Sequence, residues 1–129
     1  MSAYQTKFLL ENDPTSKRLK VITRTSDYSL GVKDTGAVCT NLGAAGTVTF
    51  TLPAGRRVGD NFTFSVATAQ ILRIDPGDAS DTITDNATGT NGAGQYIQNN
   101  YLGGHIKLVY IGSNRWISVS EDASTWTHE

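Results

Sequence analysis

Cysteine is nearly missing from this sequence, since Cys39 is the only one among 129 residues. A single cysteine excludes an intrachain disulfide framework and a zinc site that is built from four cysteines. The ordinary interpretation of a lone cysteine is a small buried apolar side chain, and we expect that role for Cys39. The fold must therefore be held together by its own packed core.

Long apolar runs and a surplus of positive charge are also missing. No stretch of the sequence approaches the roughly 18 apolar residues of a membrane span, and the first residues lack the basic and apolar regions of a secretory signal. The formal net charge is −1, from 11 basic and 12 acidic residues, whereas a dedicated nucleic-acid-binding protein needs a basic surplus. We therefore expect a protein made in a reducing cytosol that has neither a membrane nor a nucleic acid as its partner.

Residues that favour helices are scarce, whereas residues that favour strands and turns are abundant. The chain has 5 lysines and 3 glutamates, but Thr, Gly, Ser and Asn together supply 48 residues. In residues 47–52 the apolar residues Val48, Phe50 and Leu52 alternate with threonines, and residues 62–66 repeat the pattern. Strict alternation of this kind predicts strands with one buried face.

Other short strands are predicted at similar intervals along the chain. They cover residues 20–24, 28–32, 37–41, 71–74, 96–97, 105–111 and 115–120, and the last two form a hairpin. Residues 79 to about 95 are predicted to be a long loop. The sequence thus predicts an all-β protein, with a short N-terminal arm over residues 1–19 and a single β-sandwich or jelly-roll-like domain over residues 20–129.

The predicted core consists of the inward residues of the alternating segments. These residues are Val48, Phe50, Leu52, Phe62, Phe64, Val66, Leu72, Ile74, Ile106, Leu108, Ile117 and Val119.

Four aspartates within 11 residues are the densest group of candidate metal ligands. They are Asp75, Asp78, Asp81 and Asp85. Their spacing does not match the calcium loop of an EF-hand, which needs acids at alternate positions and a final glutamate. Aspartates also form turns by accepting hydrogen bonds from nearby backbone N–H groups, and that is the role we expect here.

Residues for catalysis are equally sparse. The two histidines, His105 and His128, do not form a paired metal motif. No Gly-x-Ser-x-Gly nucleophile motif appears, and nothing in the sequence indicates the cleft that two carboxylates need for glycoside hydrolysis. The expectation is a protein with no catalytic residues, no metal site and no cofactor.

Aromatic residues in the C-terminal third leave two interpretations open. Tyr101 and Trp126 are candidates for stacking on a sugar ring if they are exposed, or for an interface or a cap. Trp116 lies in a strand pattern and is expected to pack in the core.

The clearest sequence phrases resemble those of tailed-bacteriophage virion proteins. Residues 47–55 read Thr-Val-Thr-Phe-Thr-Leu-Pro-Ala-Gly, and residues 59–64 read Gly-Asp-Asn-Phe-Thr-Phe. A second phrase covers residues 104–116, followed by Ser-Thr-Trp at 124–126. The resemblance implies a jelly-roll-like β domain that is usually trimeric and has no catalytic residues to carry over.

Such domains occur in capsid decoration proteins, head fibres and tail fibres. A fibre carries the module at the end of a long chain, whereas here it follows Met1 after a short arm. We therefore expect a trimeric decoration (cement) protein located on the virion, with the major capsid protein or another virion protein as its partner. The alternative is a tail- or head-fibre adsorption module that binds a host-surface glycan.

The N-terminal arm is the predicted attachment segment. Phe8, Leu9 and Leu10 would supply an apolar anchor, and Lys17 and Arg18 contribute to the local excess of positive charge. Charge separation of this kind orients a complex more than it tightens it. The alternative is a segment that packs on its own domain or on a neighbouring subunit.

Overall fold

Strands make up the secondary structure almost entirely. The structure is a computed structural model that describes residues 18–86, 89–122 and 126–129. Within these ranges the chain forms twelve strands and one 3₁₀ turn at Val32–Asp34. The strands are β1 (Val21–Thr23), β2 (Tyr28–Ser29), β3 (Val38–Thr40), β4 (Val48–Thr51), β5 (Asn61–Ser65), β6 (Leu72–Asp75), β7 (Thr82–Asp85), β8 (Gly89–Thr90), β9 (Ile97–Asn99), β10 (His105–Gly112), β11 (Arg115–Glu121) and β12 (Thr127–His128).

The strands form two mixed sheets that pack face to face. One sheet has seven strands in the order β1-β3-β5-β10-β11-β7-β8, and the other has five in the order β12-β9-β6-β4-β2. This arrangement confirms the predicted all-β sandwich. The predicted arm lies largely outside the described residues, which begin at residue 18.

The first six strands alternate between the two sheets. β1, β3 and β5 pair in parallel in the seven-stranded sheet, and β2, β4 and β6 pair in parallel in the five-stranded sheet. Parallel neighbours need a long crossover connection. Here each crossover contains a strand of the opposite sheet. For example, the chain passes through β2 of the five-stranded sheet between the paired strands β1 and β3.

Aromatic side chains join the two sheets at the centre of the core. Phe50 on β4 and Phe64 on β5 lie with their ring centroids 5.7 Å apart in an edge-to-face arrangement. Both side chains are fully buried. Phe64 also lies opposite Cys39 on β3 and Ile106 on β10, which places one apolar row across three strands. Ten of the twelve predicted core residues are buried as expected.

The two exceptions, Ile117 and Val119, lie on β11, and their predicted burial is wrong. Val119 is 54% exposed, and Ile117 lies opposite the outward-facing Val109. Trp116 takes the inward position instead, with its ring centroid 5.3 Å from that of Tyr110. A register shift between Lys107 and Leu108 then inserts an extra residue on β11. Because Trp116 takes the inward position, strand alternation directs Ile117 and Val119 outward, and the extra residue of the bulge is Val119 itself.

The predicted loop over residues 79–95 is also wrong in part. It contains β7 and β8, and β7 pairs in parallel with β11 through Thr82–Thr84. The segment has one large apolar residue, Ile83, which is completely buried. A single inward residue between threonines gives too short an alternation to distinguish a strand from a loop.

Truncation of Phe64 tests the position of the core. Phe64→Ala is expected to lower the free energy of unfolding by about 3–5 kcal/mol, because a fully buried aromatic ring leaves a cavity. The outward-facing neighbour Thr63 supplies the control, and Thr63→Ala should cost about 1 kcal/mol or less. Urea denaturation followed by tryptophan fluorescence measures both. Equal losses in the two variants would contradict the assigned strand phase.

Candidate functional site

The predicted attachment residues are mostly outside the described part of the chain. Phe8, Leu9, Leu10 and Lys17 fall in residues 1–17, which the structure does not describe. Arg18 is described and is exposed just before β1. The role of this segment stays a prediction.

The four clustered aspartates have separate structural roles. Asp78 accepts hydrogen bonds from the backbone and the hydroxyl of Ser80, which forms the expected turn and lowers the pKa of Asp78. Asp81 and Asp85 are buried with partners described below. Burial raises the pKa of Asp75. Among the described residues, no three His, Cys, Asp or Glu side chains are placed to hold a metal ion.

Arg56 is the centre of a charged cluster that the sequence did not single out. Its Nη2 lies 2.7 Å from Asp81 Oδ1, and its Nη1 lies 3.3 Å from Asp78 Oδ2. The guanidinium also donates to Asn114 Oδ1 and lies 5.0 Å from the ring centroid of Tyr110. Desolvation alone would lower the pKa of Arg56, but the nearby carboxylate of Asp81 contributes most to holding that pKa above its ordinary value.

Two turns and a hairpin meet at this cluster. Asp81 Oδ2 accepts a hydrogen bond from the indole of Trp116 at 3.2 Å, so the ion pair reaches into the core. A Cβ atom at Gly77 would lie 1.9 Å from the carbonyl oxygen of Leu52. Only glycine therefore allows the turn after β6 to approach the turn after β4 this closely. The cluster therefore has a structural role, and it fixes the β10–β11 hairpin against the loop that precedes β5.

A second polar contact joins the two sheets near the C-terminus. His128 Nε2 lies 2.8 Å from Asp85 Oδ1, and the side chain of Asp85 has no exposed surface. Asp85 ends β7 of the seven-stranded sheet, whereas His128 belongs to β12 of the other sheet. His105 remains exposed at the start of β10, as expected for a strand-edge histidine.

Burial affects two titratable side chains near β1, Cys39 and Asp34. Burial raises the pKa of the Cys39 thiol to about 12, so the group stays protonated and unreactive at neutral pH. Asp34 is also buried, and burial by itself would raise its pKa. Lys20, 2.6 Å away, and the backbone N–H of Gly31 together lower that pKa instead.

The aromatic candidates differ in exposure. Trp126 is 1% exposed, and its indole donates to the carbonyl of His105 at 2.9 Å and to Asp122 Oδ1 at 3.1 Å. Its ring is therefore not open to a sugar, and Trp126 instead caps the sandwich. Tyr101 is 65% exposed in the loop between β9 and β10. Of the two, Tyr101 alone remains a candidate for contact with a ligand.

Aliphatic side chains form a partly exposed strip on the outer face of the β10–β11 hairpin, in which Val109 and Ile117 are half-buried. We call Val109, Ile111, Ile117 and Val119 the hairpin strip. Val109 and Ile117 lie directly opposite each other, and Ile111 and Val119 are 47% and 54% exposed. The alternating pattern does not reveal the strip, because it predicts that Ile117 and Val119 belong to the core.

A groove of about 450 Å³ borders the hairpin strip. It lies where β11 continues past the end of its pairing with β7, which covers residues 115–117. Ile117 and Val119 line the groove together with polar side chains that include Ser118 and Glu121. The strip therefore has an apolar centre with a polar margin, which is the usual composition of a protein interface.

Comparison with known proteins does not assign the chain to a family. Neither the scan against family models nor the search of curated proteins gives a match. Over the described ranges, no helix has the length and apolar character needed to cross a bilayer. Any function must therefore be argued from the geometry and from the sequence phrases.

Neutralising Asp81 tests the structural role of the Arg56 cluster. Asp81→Asn should lower the free energy of unfolding by about 3–5 kcal/mol, because it leaves the mostly buried Arg56 guanidinium without its main counter-charge. Asp78→Asn is the matched control at the more exposed partner, and it should cost about 1 kcal/mol or less. Thermal and urea unfolding measure both variants. A loss for Asp81→Asn as small as the control would contradict the assigned role.

Proposed function

We propose that the protein is a non-enzymatic structural protein of a bacteriophage virion, and that it coats the capsid as a trimeric decoration protein. The sequence phrases at residues 47–55 and 104–116 support the phage assignment. The β-sandwich described above is a scaffold of the kind that such a role requires. The partner in this proposal is the major capsid protein or another virion protein.

The observation that carries the proposal is the hairpin strip. Exposed single apolar residues are ordinary on protein surfaces. Contiguous apolar patches on a soluble protein instead mark sites of interaction. Val109 and Ile117 are directly opposed, where side chains are about 5 Å apart, and Ile111 and Val119 lie at the register shifts of the same two paired strands. They therefore act as one surface, and its burial against other copies of the chain would be favourable.

A closed ring suits this surface. Around a threefold axis each copy presents the same face, and the strips of three copies meet near the axis. Burying the surface that these four half-buried or half-exposed side chains still present would contribute on the order of 2–5 kcal/mol per subunit before the costs of association. The polar groove beside the strip would remain at the margin of the interface.

Attachment to the capsid in this proposal involves the N-terminal segment. Arg18 and Lys20 lie in the exposed start of the described chain, next to β1, which is an edge strand of the seven-stranded sheet within the described residues. Leu19 and Val21 are 68% and 60% exposed at the same edge. This end of the seven-stranded sheet lies four strands away from β11, so attachment and trimer contacts would occupy different surfaces.

A second candidate function is a fibre adsorption module that binds a host-surface carbohydrate. The exposed Tyr101 favours it, because an aromatic ring held at the surface is a platform for a sugar.

Replacing members of the strip with threonine tests self-association. The wild-type chain is expected to sediment as a trimer at micromolar concentration, and the double variant Val109→Thr with Ile117→Thr should shift it toward the monomer. Threonine keeps the β-branched shape that strands favour, so the fold should persist. Val21→Thr is the matched control, since Val21 is an exposed strand valine outside the strip.

Sedimentation equilibrium and urea unfolding are measured on all three proteins. A wild-type chain that sediments as a monomer of 13.9 kDa would contradict the proposal. A trimer that survives the double variant but is lost in Val21→Thr would move the interface to the β1 edge.

A further inference from the structure

A small depression opens on the outer face of the five-stranded sheet at the end of β9. Its volume is about 150 Å³, the space taken by about five molecules of liquid water. The described residues that line it are Ile71, Gln98, Asn99, Asn100, Tyr101 and Thr127. None of these side chains carries a formal charge, and three of them are carboxamides. A depression of this size accommodates one sugar ring.

The Gln98 carboxamide is held in a fixed orientation. Its Oε1 accepts a hydrogen bond from Arg73 Nε at 3.0 Å, and Arg73 in turn lies 4.0 Å from the ring centroid of Tyr96. Because Oε1 is occupied by Arg73, the Nε2 amide group is the part of Gln98 left to bind a ligand. Among the described residues no acceptor is bonded to this Nε2. The depression thus has a preoriented hydrogen-bond donor.

The loop that carries Tyr101 is fixed by its own hydrogen bonds. The Tyr101 N–H donates to Asn99 Oδ1 at 2.9 Å, and the Tyr101 carbonyl accepts from the Gly104 N–H at 2.9 Å. Gly103 has a φ of 85°, a conformation that glycine adopts without strain. A side chain at Gly104 would collide with the amide of Asn99. Tyr101 is therefore presented from a rigid turn.

We propose that this depression binds a neutral pyranose sugar. Small-molecule sites combine an apolar surface with a few placed polar groups that fix orientation. Tyr101 and Ile71 supply the apolar surface, while the amides of Gln98 and Asn100 provide the donors and acceptors that neighbouring sugar hydroxyls need. The uncharged lining disfavours a charged ligand such as a phosphate, since no described cation lines the depression.

This inference rests on the carbohydrate-binding candidate and gives it a site and a ligand class. It does not require the trimer, because the depression and the hairpin strip lie on the outer faces of opposite sheets. A decoration protein with this site would present the sugar-binding face away from the subunit interface. Failure of sugar binding would therefore leave the assembly proposal standing, and the reverse also holds.

Saturation-transfer NMR on the full chain tests the site directly. The probes are the methyl glycosides of glucose, galactose, mannose and N-acetylglucosamine, each at several millimolar, because a single sugar ring is expected to bind with a dissociation constant on the order of 1 mM. At least one glycoside should receive saturation at its ring C–H protons. No transfer to any of the four would overturn the proposal.

Four variants locate the contact. Tyr101→Ala should weaken binding about tenfold or more, whereas Tyr101→Phe should retain it, because the ring face is kept. Gln98→Glu preserves an oxygen for Arg73 but replaces the donor with an acceptor, so binding should fall by a similar factor. Leu102→Ala is the matched control, since Leu102 is 70% exposed beside Tyr101 but does not line the depression.

The pattern across the variants separates the outcomes. Loss of binding in Tyr101→Ala and Gln98→Glu, with Tyr101→Phe and Leu102→Ala unchanged, would support the sugar site. Binding that is unaffected by Tyr101→Ala, or that falls equally in Leu102→Ala, would place the sugar elsewhere and overturn it. Sedimentation of the same variants reports whether the assembly state has changed.

Discussion

The structure depends on the contact between its two sheets, which Phe50 and Phe64 make at the centre of the core. Because the first six strands alternate between the sheets, parallel neighbours are never adjacent in sequence, and their register is set by what the opposite sheet buries. A slip of one residue would turn each inward aromatic ring toward solvent. The apolar pattern that defines the core therefore also defines which side chains are left on the outer faces.

Buried polar contacts fix the ends of this sandwich where the apolar core stops. Arg56 and Asp81 join two turns to the β10–β11 hairpin, and His128 with Asp85 joins the last strand to the other sheet. Among the described residues, neither contact belongs to a group of His, Cys, Asp or Glu side chains that could hold a metal ion. These contacts restrict the movement of the elements that they join, and the proposed interaction surfaces lie on those elements. The β10–β11 hairpin is the clearest case.

Sequence patterns predicted the strands with two or more inward residues, such as β4 and β5, because alternation over five or six residues is unambiguous. They failed at β7, where Ile83 is the single large inward residue, and at β11, where Trp116 rather than Ile117 takes the inward position. The candidate site was foreseen only at Tyr101. The Arg56 cluster gave no local signal, because its residues are brought together by distant turns, and the hairpin strip was hidden because the pattern placed Ile117 and Val119 on the inward face.

Site-specific photo-crosslinking tests most directly the claim that copies of the chain meet through the outer face of the seven-stranded sheet. A benzophenone side chain replaces Val119 in one protein and Thr51, on the outer face of the other sheet, in a second. If the copies meet through this face, irradiation of the Val119-substituted protein gives covalent dimers and trimers, and the protein substituted at Thr51 stays monomeric. Cross-linked products from position 51 alone, or from neither position, would contradict it.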